Sequence, residues 1–137
     1  MSEPARSPGL DGVVESHPLR GRSFAEILDA LAKLEGIRGG LLVAPDGLVI
    51  ASTLSTRFAV EALAAVGAAL GRELERGTER FGRGELRTAV FAAADGMIVM
   101  GTSLVGFLIL LGERSTDVAA ARTALRHALS RLQAHSP

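Results

Sequence analysis

Two nearly unbroken apolar runs, Met97 to Thr102 and Phe107 to Leu111, constrain the fold of this chain more than any other feature. A strand that is apolar at every position, rather than at alternate ones, must be covered on both faces. The Ser103-to-Gly106 connection between the runs makes them a hairpin. A chain carrying such a hairpin has to supply helices to both sides of its sheet.

The rest of the sequence provides them. Ser23, Phe24, Ala25 and Glu26 form a capping box in which the Glu26 carboxylate returns to the cap residue's N–H, so a first helix is expected from Ser23. Phe24, Ile27, Leu28, Leu31 and Leu34 share one face of it, and Gly36 is a suitable left-handed terminator. Gly39–Ala44 and Leu48–Ser52 are short β-prone runs joined by Pro45, Asp46 and Gly47, a proline, an aspartate and a glycine placed as a tight hairpin requires. Glu85–Ala93 alternates: Leu86, Thr88, Val90 and Ala92 point one way, Arg87, Ala89, Phe91 and Ala93 the other, before a turn at Asp95 and Gly96. A last helix opens after Gly112, capped by Ser115 or Thr116 with Asp117 at its positive end. Val118, Ala121, Leu125, Ala128, Leu129 and Leu132 form its buried stripe, leaving Arg126, His127 and Arg131 to solvent. The order is α-β-β-α-β-β-β-α, a single antiparallel sheet with helices on both faces.

The long helix expected between the two groups of strands, Arg57 to Arg76 with Ser55 or Thr56 as its cap, is apolar on more than one side. Steps of 100° per residue put Ala59, Val60, Leu63, Val66, Gly67, Leu70 and Leu74 on a broad aliphatic face, the one expected to meet the sheet. The other side carries Ala64, Ala65, Ala68 and Gly71, flanked by Glu61 and Arg72, where a solvated face would carry long polar side chains. Two readings stand side by side. Either these are good helix formers on an open face, or the ridge of small residues lets a second copy of the helix approach. In the second reading two helices cross antiparallel about a two-fold near Val66 and Gly67, with Ala65 meeting the partner's Ala68 and Glu61 approaching Arg72.

Composition narrows the function. At 137 residues, 47% of them apolar, the chain is one domain's worth with an ample core. Residues 1–22 are rich in Pro, Gly, Ser and charge and are expected to form a flexible arm, leaving a domain over 23–135. Fifteen basic and fifteen acidic residues balance, so nothing favours nucleic acid or an acidic membrane surface. No run approaches the roughly 20 apolar residues of a membrane span, and no secretory signal is evident, so a soluble cytoplasmic protein is expected. With no cysteine and with His17, His127 and His135 scattered, no metal site or cofactor is expected. The only lysine, Lys33, sits inside the first helix, so there is no phosphate loop. Asp46 and Asp95 are where hairpin turns want aspartate, and Ser52, Ser55, Ser103 and Ser115 lack a positioned base. Catalysis is therefore not expected. Arg76, Arg80, Arg83 and Arg87 interleave with Glu73, Glu75, Glu79 and Glu85, a pattern of a solvated edge or of a docking surface for a charged partner, with Arg76, Arg80 and Arg83 the candidates.

The run from Gly36 to Ser52, with its Asp46-Gly47 hairpin, then an alanine-rich helix, a strand, Asp95-Gly96, two apolar strands and a final helix, resembles the Roadblock/dynein light chain domain family over roughly Phe24 to Leu132. The resemblance implies a profilin-like five-stranded antiparallel sheet with helices on both faces, and a non-enzymatic module that forms homo- or heterodimers. It implies that the second helix and third strand of each protomer meet their counterparts. Arg87, Ala89 and Phe91 then join Glu61, Ala64, Ala65, Ala68, Gly71 and Arg72 as expected interface residues. Bacterial and archaeal members are associated with Ras-like small GTPases as regulators or scaffolds, which makes such a GTPase the expected partner. A small-molecule sensor of similar architecture is the alternative, although the central strands offer it only Thr102 and Ser103 as polar groups. A purely structural dimerisation scaffold is a further one.

Overall fold

A computed structural model describes residues 18–55 and 59–134. Its elements are α1 (Pro18–Ala32), β1 (Ile37–Val43), β2 (Val49–Ser52), α2 (Val60–Arg80), β3 (Thr88–Ala93), β4 (Gly96–Thr102), β5 (Phe107–Gly112) and α3 (Val118–Ala134). The five strands form one antiparallel sheet in the order β2-β1-β5-β4-β3. The two apolar runs are adjacent, β4 beside β5, with β5 at the centre of the sheet. Alternate residues of the inner strands feed two separate cores. Leu42, Val99, Leu108 and Leu110 meet α1 and α3 on one face, while Leu41, Val43, Met100 and Ile109 meet α2 on the other. Each fully buried leucine or isoleucine contributes about 1.5–3 kcal/mol, and the central strands are apolar on both faces except for Arg38 and Thr102 near their ends.

The element order matches the sequence reading, and several boundaries move. The first helix begins at Pro18, where a proline is tolerated because its missing N–H has no intrahelical acceptor. Ser23 therefore lies inside the helix, and the capping box at Ser23 and Glu26 is not its start. Residues 1–17, which include His17 and the remainder of the expected arm, lie outside the described residues, as do 56–58 and 135–137. The Pro45–Gly47 turn forms as expected: the Leu48 N–H donates to Asp46 Oδ1 at 3.2 Å and the Gly47 N–H to the Ala44 carbonyl at 2.8 Å.

The second helix starts later and runs further than its sequence suggests. Its N-cap is Ala59, with no side-chain cap, so Ser55 does not serve there, and Thr56 is outside the described residues. Gly77, the residue after the expected end at Arg76, is absorbed in the helix. One interior glycine costs about 1 kcal/mol, and the better terminator is Gly82, whose positive φ of 70° lets the chain turn away while the Arg83 N–H bonds to the Thr78 carbonyl at 2.8 Å. On α3 the cap is Asp117, whose Oδ1 accepts from the Ala120 N–H at 3.1 Å. Thr116 serves elsewhere. Its buried hydroxyl donates to the Gly36 carbonyl at 3.1 Å, tying the start of α3 to the turn before β1.

Candidate functional site

The second helix is seated with its small residues inward. Ala64, Gly67, Ala68 and Gly71 are the buried residues of α2, and Ala64 and Ala68 are 0% and 1% exposed against their own sheet. The cause lies in the strand below. A Cβ added at Gly67 would stand 2.5 Å from Ile109 Cδ1, and one at Gly71 would stand 2.5 Å from Phe107 Cε1. Large β5 side chains rise into the helix, so the helix residues above them must be small. This turns the helix part-way round from the face expected from hydropathy: Gly67 is inward as expected, and Val60, Leu63 and Leu74 pack at the core's edge. Val66 and Leu70, assigned to the core, are 65% and 37% exposed, while Ala64, Ala68 and Gly71, assigned to a partner, are internal.

The remaining expected interface residues divide between the helix's two flanks. Ala65 and Arg72 stand over the β1–β2 turn: the Ala65 Cα is 3.6 Å from the Cβ position of Gly47, and the Arg72 guanidinium donates to the Pro45 carbonyl. Glu61, at 100° steps, falls on this same flank, exposed. The seam expected from Ala65, Ala68, Glu61 and Arg72 is therefore not a face the fold presents for close helix contact, because its centre is the helix's own core contact. Since β2 and β1 lie under that flank, the opposite flank, with Leu63, Val66, Leu70 and Leu74, looks along the sheet order toward β4 and β3.

On that side the sheet is only partly covered. Ala89, Phe91 and Ile98 pack beside Leu63 and Leu74 as partly buried members of the α2-side core. Phe91, Ile98 and Leu111 are successive cross-strand neighbours over β3, β4 and β5, so they form one row on this face. They line a shallow cavity of about 770 Å³ that reaches Arg38, Asp95 and Glu113 at the sheet's end. The outer side of β3 has no strand partner among the described residues. The result is an apolar trough: one wall is the aliphatic flank of α2, its floor is the β3–β4 half of the sheet, and its far lip is a free strand edge.

At the opposite end of the sheet α2 overhangs. Gly71 sits above Phe107, the first residue of β5, so the following turns of the helix pass beyond the strands. Among the arginines proposed for docking, Arg76 pairs with Glu73 at 2.5 Å on the surface, while Arg80 and Arg83 are exposed on either side of Phe81, itself 81% exposed. Arg87 lies on the run leading into β3, under the overhang. Thr102 and Ser103, the polar groups a ligand pocket would need, are engaged with backbone. The Thr102 hydroxyl donates to the Leu86 carbonyl at 2.8 Å, and Ser103 Oγ donates to the Gly106 carbonyl while accepting from the Val105 and Gly106 N–H groups. No cluster of His, Cys, Asp or Glu suited to a metal occurs among the described residues, and among them no helix is long and apolar enough to cross a membrane.

The Roadblock/LC7 domain family model matches residues 23–113, which takes in α1 from Ser23 and all five strands. The chain belongs to the Roadblock/LC7 domain family. Two proteins of Methanocaldococcus jannaschii are each 30% identical to it over 108 residues, covering 79% of this chain and 95% of theirs. Among solved structures, a Roadblock/LC7 domain from Streptomyces avermitilis superposes with a TM-score of 0.75 at 18% identity, covering 81% of this chain and 95% of that one. MglB of Myxococcus xanthus gives a TM-score of 0.77 at 17% identity, covering 83% and 87% of the two chains. The gliding protein MglB of Thermus thermophilus gives 0.75 at 15% identity, covering 85% and 90%. At such identities the structural likeness speaks for the fold, and the family's α-β-β-α-β-β-β-α order is the one described above.

Proposed function

We propose that this Roadblock/LC7 chain is a non-enzymatic homodimeric module, regulator or scaffold, that binds a Ras-like small GTPase and modulates or localises it. The apolar trough carries the proposal. A helix flank with Val66 65% exposed, beside a half-covered sheet floor and an unpaired strand edge, is an exposed patch that a folded chain keeps when something covers it. A second copy related by a two-fold fits it. Each α2 flank closes the other's trough and each β3 edge meets its counterpart, so Ala89 and Phe91 of the expected interface are retained, Arg87 lies at its margin, and Leu63, Val66, Leu70 and Leu74 replace the alanine ridge. The GTPase follows from family membership and from the exposed Phe81 with Arg80 and Arg83, since aromatic and arginine side chains are the usual anchors of protein interfaces.

The test is the oligomeric state of Val66→Glu/Leu70→Glu by light scattering, followed by capture and GTP turnover with a Ras-like GTPase from the same genome. A folded monomer that fails to hold the GTPase is the expected result. A dimer unchanged by both carboxylates would rule out this interface. GTPase binding with no change in turnover would identify the scaffold form of the function.

A further inference from the structure

The overhang of α2 roofs a second surface, a groove of about 1000 Å³ at the sheet's end. Arg72 and Arg76 reach it from α2, Arg87 from the approach to β3, and Arg122 and Arg126 from α3. The Arg72 side chain is held by the Pro45 carbonyl and that of Arg76 by Glu73, whereas the guanidinium groups of Arg87, Arg122 and Arg126 make no ion pair or hydrogen bond with the described residues. The chain as a whole is neutral, yet α3 carries Arg122, Arg126, His127 and Arg131 and no carboxylate between Val118 and Ala134. Of these, Arg122 and Arg126 line the groove. The facing wall bears Glu75 and Glu79, and Leu104, 77% exposed, stands on the rim.

We propose that this groove docks an extended acidic segment of a partner polypeptide, one with carboxylates at alternate positions and an apolar residue to cover Leu104. Spacing selects the extended form. Arg122 and Arg126 are one helical turn apart, about 6 Å along the helix, and alternate residues of an extended chain are about 6.6 Å apart, so two successive same-side carboxylates match two guanidinia. The carboxylates of Glu75, Glu79 and Glu85 in the same groove disfavour a compact polyanion such as a polyphosphate or nucleic acid, which cannot keep its charge to one wall. The hydroxyls of Thr102 and Ser103 are engaged with backbone, and those of Thr88 and Ser130 also line the groove. This site lies beyond the sheet's end, apart from the trough, and depends neither on the dimer nor on the GTPase reading.

The experiment measures fluorescence anisotropy of a labelled decapeptide alternating Glu and Ser and ending in Leu, titrated with the full chain at about 50 mM salt, where screening still permits surface electrostatics. Saturable binding is expected, weakened at least about tenfold by Arg122→Glu/Arg126→Glu, the loss of two charge-assisted contacts. The equally charge-reversed Arg80→Glu/Arg83→Glu should stay within about twofold, because those residues lie outside the groove. All four positions are exposed, and circular dichroism checks that both variants fold. Three results overturn the proposal: no binding, equal loss in the two variants, or displacement of the peptide by inorganic phosphate beyond that by sodium chloride of the same ionic strength, which marks a small-anion site instead. None of them bears on light scattering of Val66→Glu/Leu70→Glu.

Discussion

Alanine placed at each of the three glycines of α2 should change stability in three different ways. In an exposed helix interior Gly→Ala gains about 0.8–1 kcal/mol. At Gly77 nothing lies within 4 Å of the added methyl, so the gain should be realised in full, raising Tm by about 4 °C. At Gly67 the methyl would sit 2.5 Å from Ile109 Cδ1, the end of a flexible side chain. Moving that terminus off its rotamer costs about 0.5–1.5 kcal/mol, and the net effect should be close to zero. At Gly71 the methyl meets three ring atoms of Phe107 at 2.5, 2.7 and 2.8 Å, and that residue is 2% exposed. Ordinary contact requires about 3.5 Å, so either helix or ring must shift by about 1 Å. Overpacking of that kind costs about 1–3 kcal/mol, leaving a net loss of up to about 2 kcal/mol after the propensity gain. Urea unfolding followed by circular dichroism at two protein concentrations separates the possibilities. Equal stabilisation at all three positions would refute the inward seating of the small residues. A Gly71→Ala effect that shrinks as the protein is diluted, unlike that of Gly77→Ala, would put the small residues against a second copy.

Two further substitutions probe the ends of the sheet. Gly106→Ala asks for a Cβ 2.0 Å from the Val43 carbonyl oxygen at a φ of +154°, so a loss of more than about 3 kcal/mol is expected; a normal thermal melt would show that the β4–β5 connection is not held as described. Thr116→Val removes the hydroxyl that donates to Gly36 but leaves that carbonyl its bond from the Glu113 N–H at 2.8 Å. The cost should be about 1 kcal/mol, read from the shift in urea midpoint, and a loss several times larger would mean that the hydroxyl anchors more than this one carbonyl.

The sheet was legible because its determinants are local. Asp46 and Gly47 specify a turn wherever they occur between β-prone runs, and the apolarity of Met97–Thr102 and Phe107–Leu111 announces two covered faces without reference to anything distant. The seating of α2 is not local. A hydropathy wheel ranks residues by apolarity and so turns Val66 and Leu70 inward, but the contact is decided by fit, and the bulk supplied by Phe107 and Ile109 some 40 residues later leaves room only for glycine and alanine. Two glycines four residues apart in mid-helix did mark a close approach. What they could not specify was whether the approaching body was another molecule or the chain's own sheet. The arginine groove was less visible still, since its walls come from α2, the Glu85–Thr88 run, the β4–β5 turn and α3, and each arginine taken singly looks like an ordinary wet surface residue. Helix ends were misplaced where a cap motif had a competitor, as Gly77 had in Gly82 and Thr116 in Asp117.

The inward alanines and glycines of α2 divide its sequence into two independent alphabets. Positions 64, 67, 68 and 71 answer only to β5 and its neighbours, and a duplicated copy of the chain must keep them small or lose the fold. Positions 66 and 70, the exposed ones on the trough flank, are free of the strands beneath and can be rewritten without disturbing them, whereas Leu63 and Leu74 also pack on the chain's own core. A chain built this way can exchange one companion for another by drift along a single flank, so descendants of one ancestor could sort into like and unlike pairs while their sheets stay superposable.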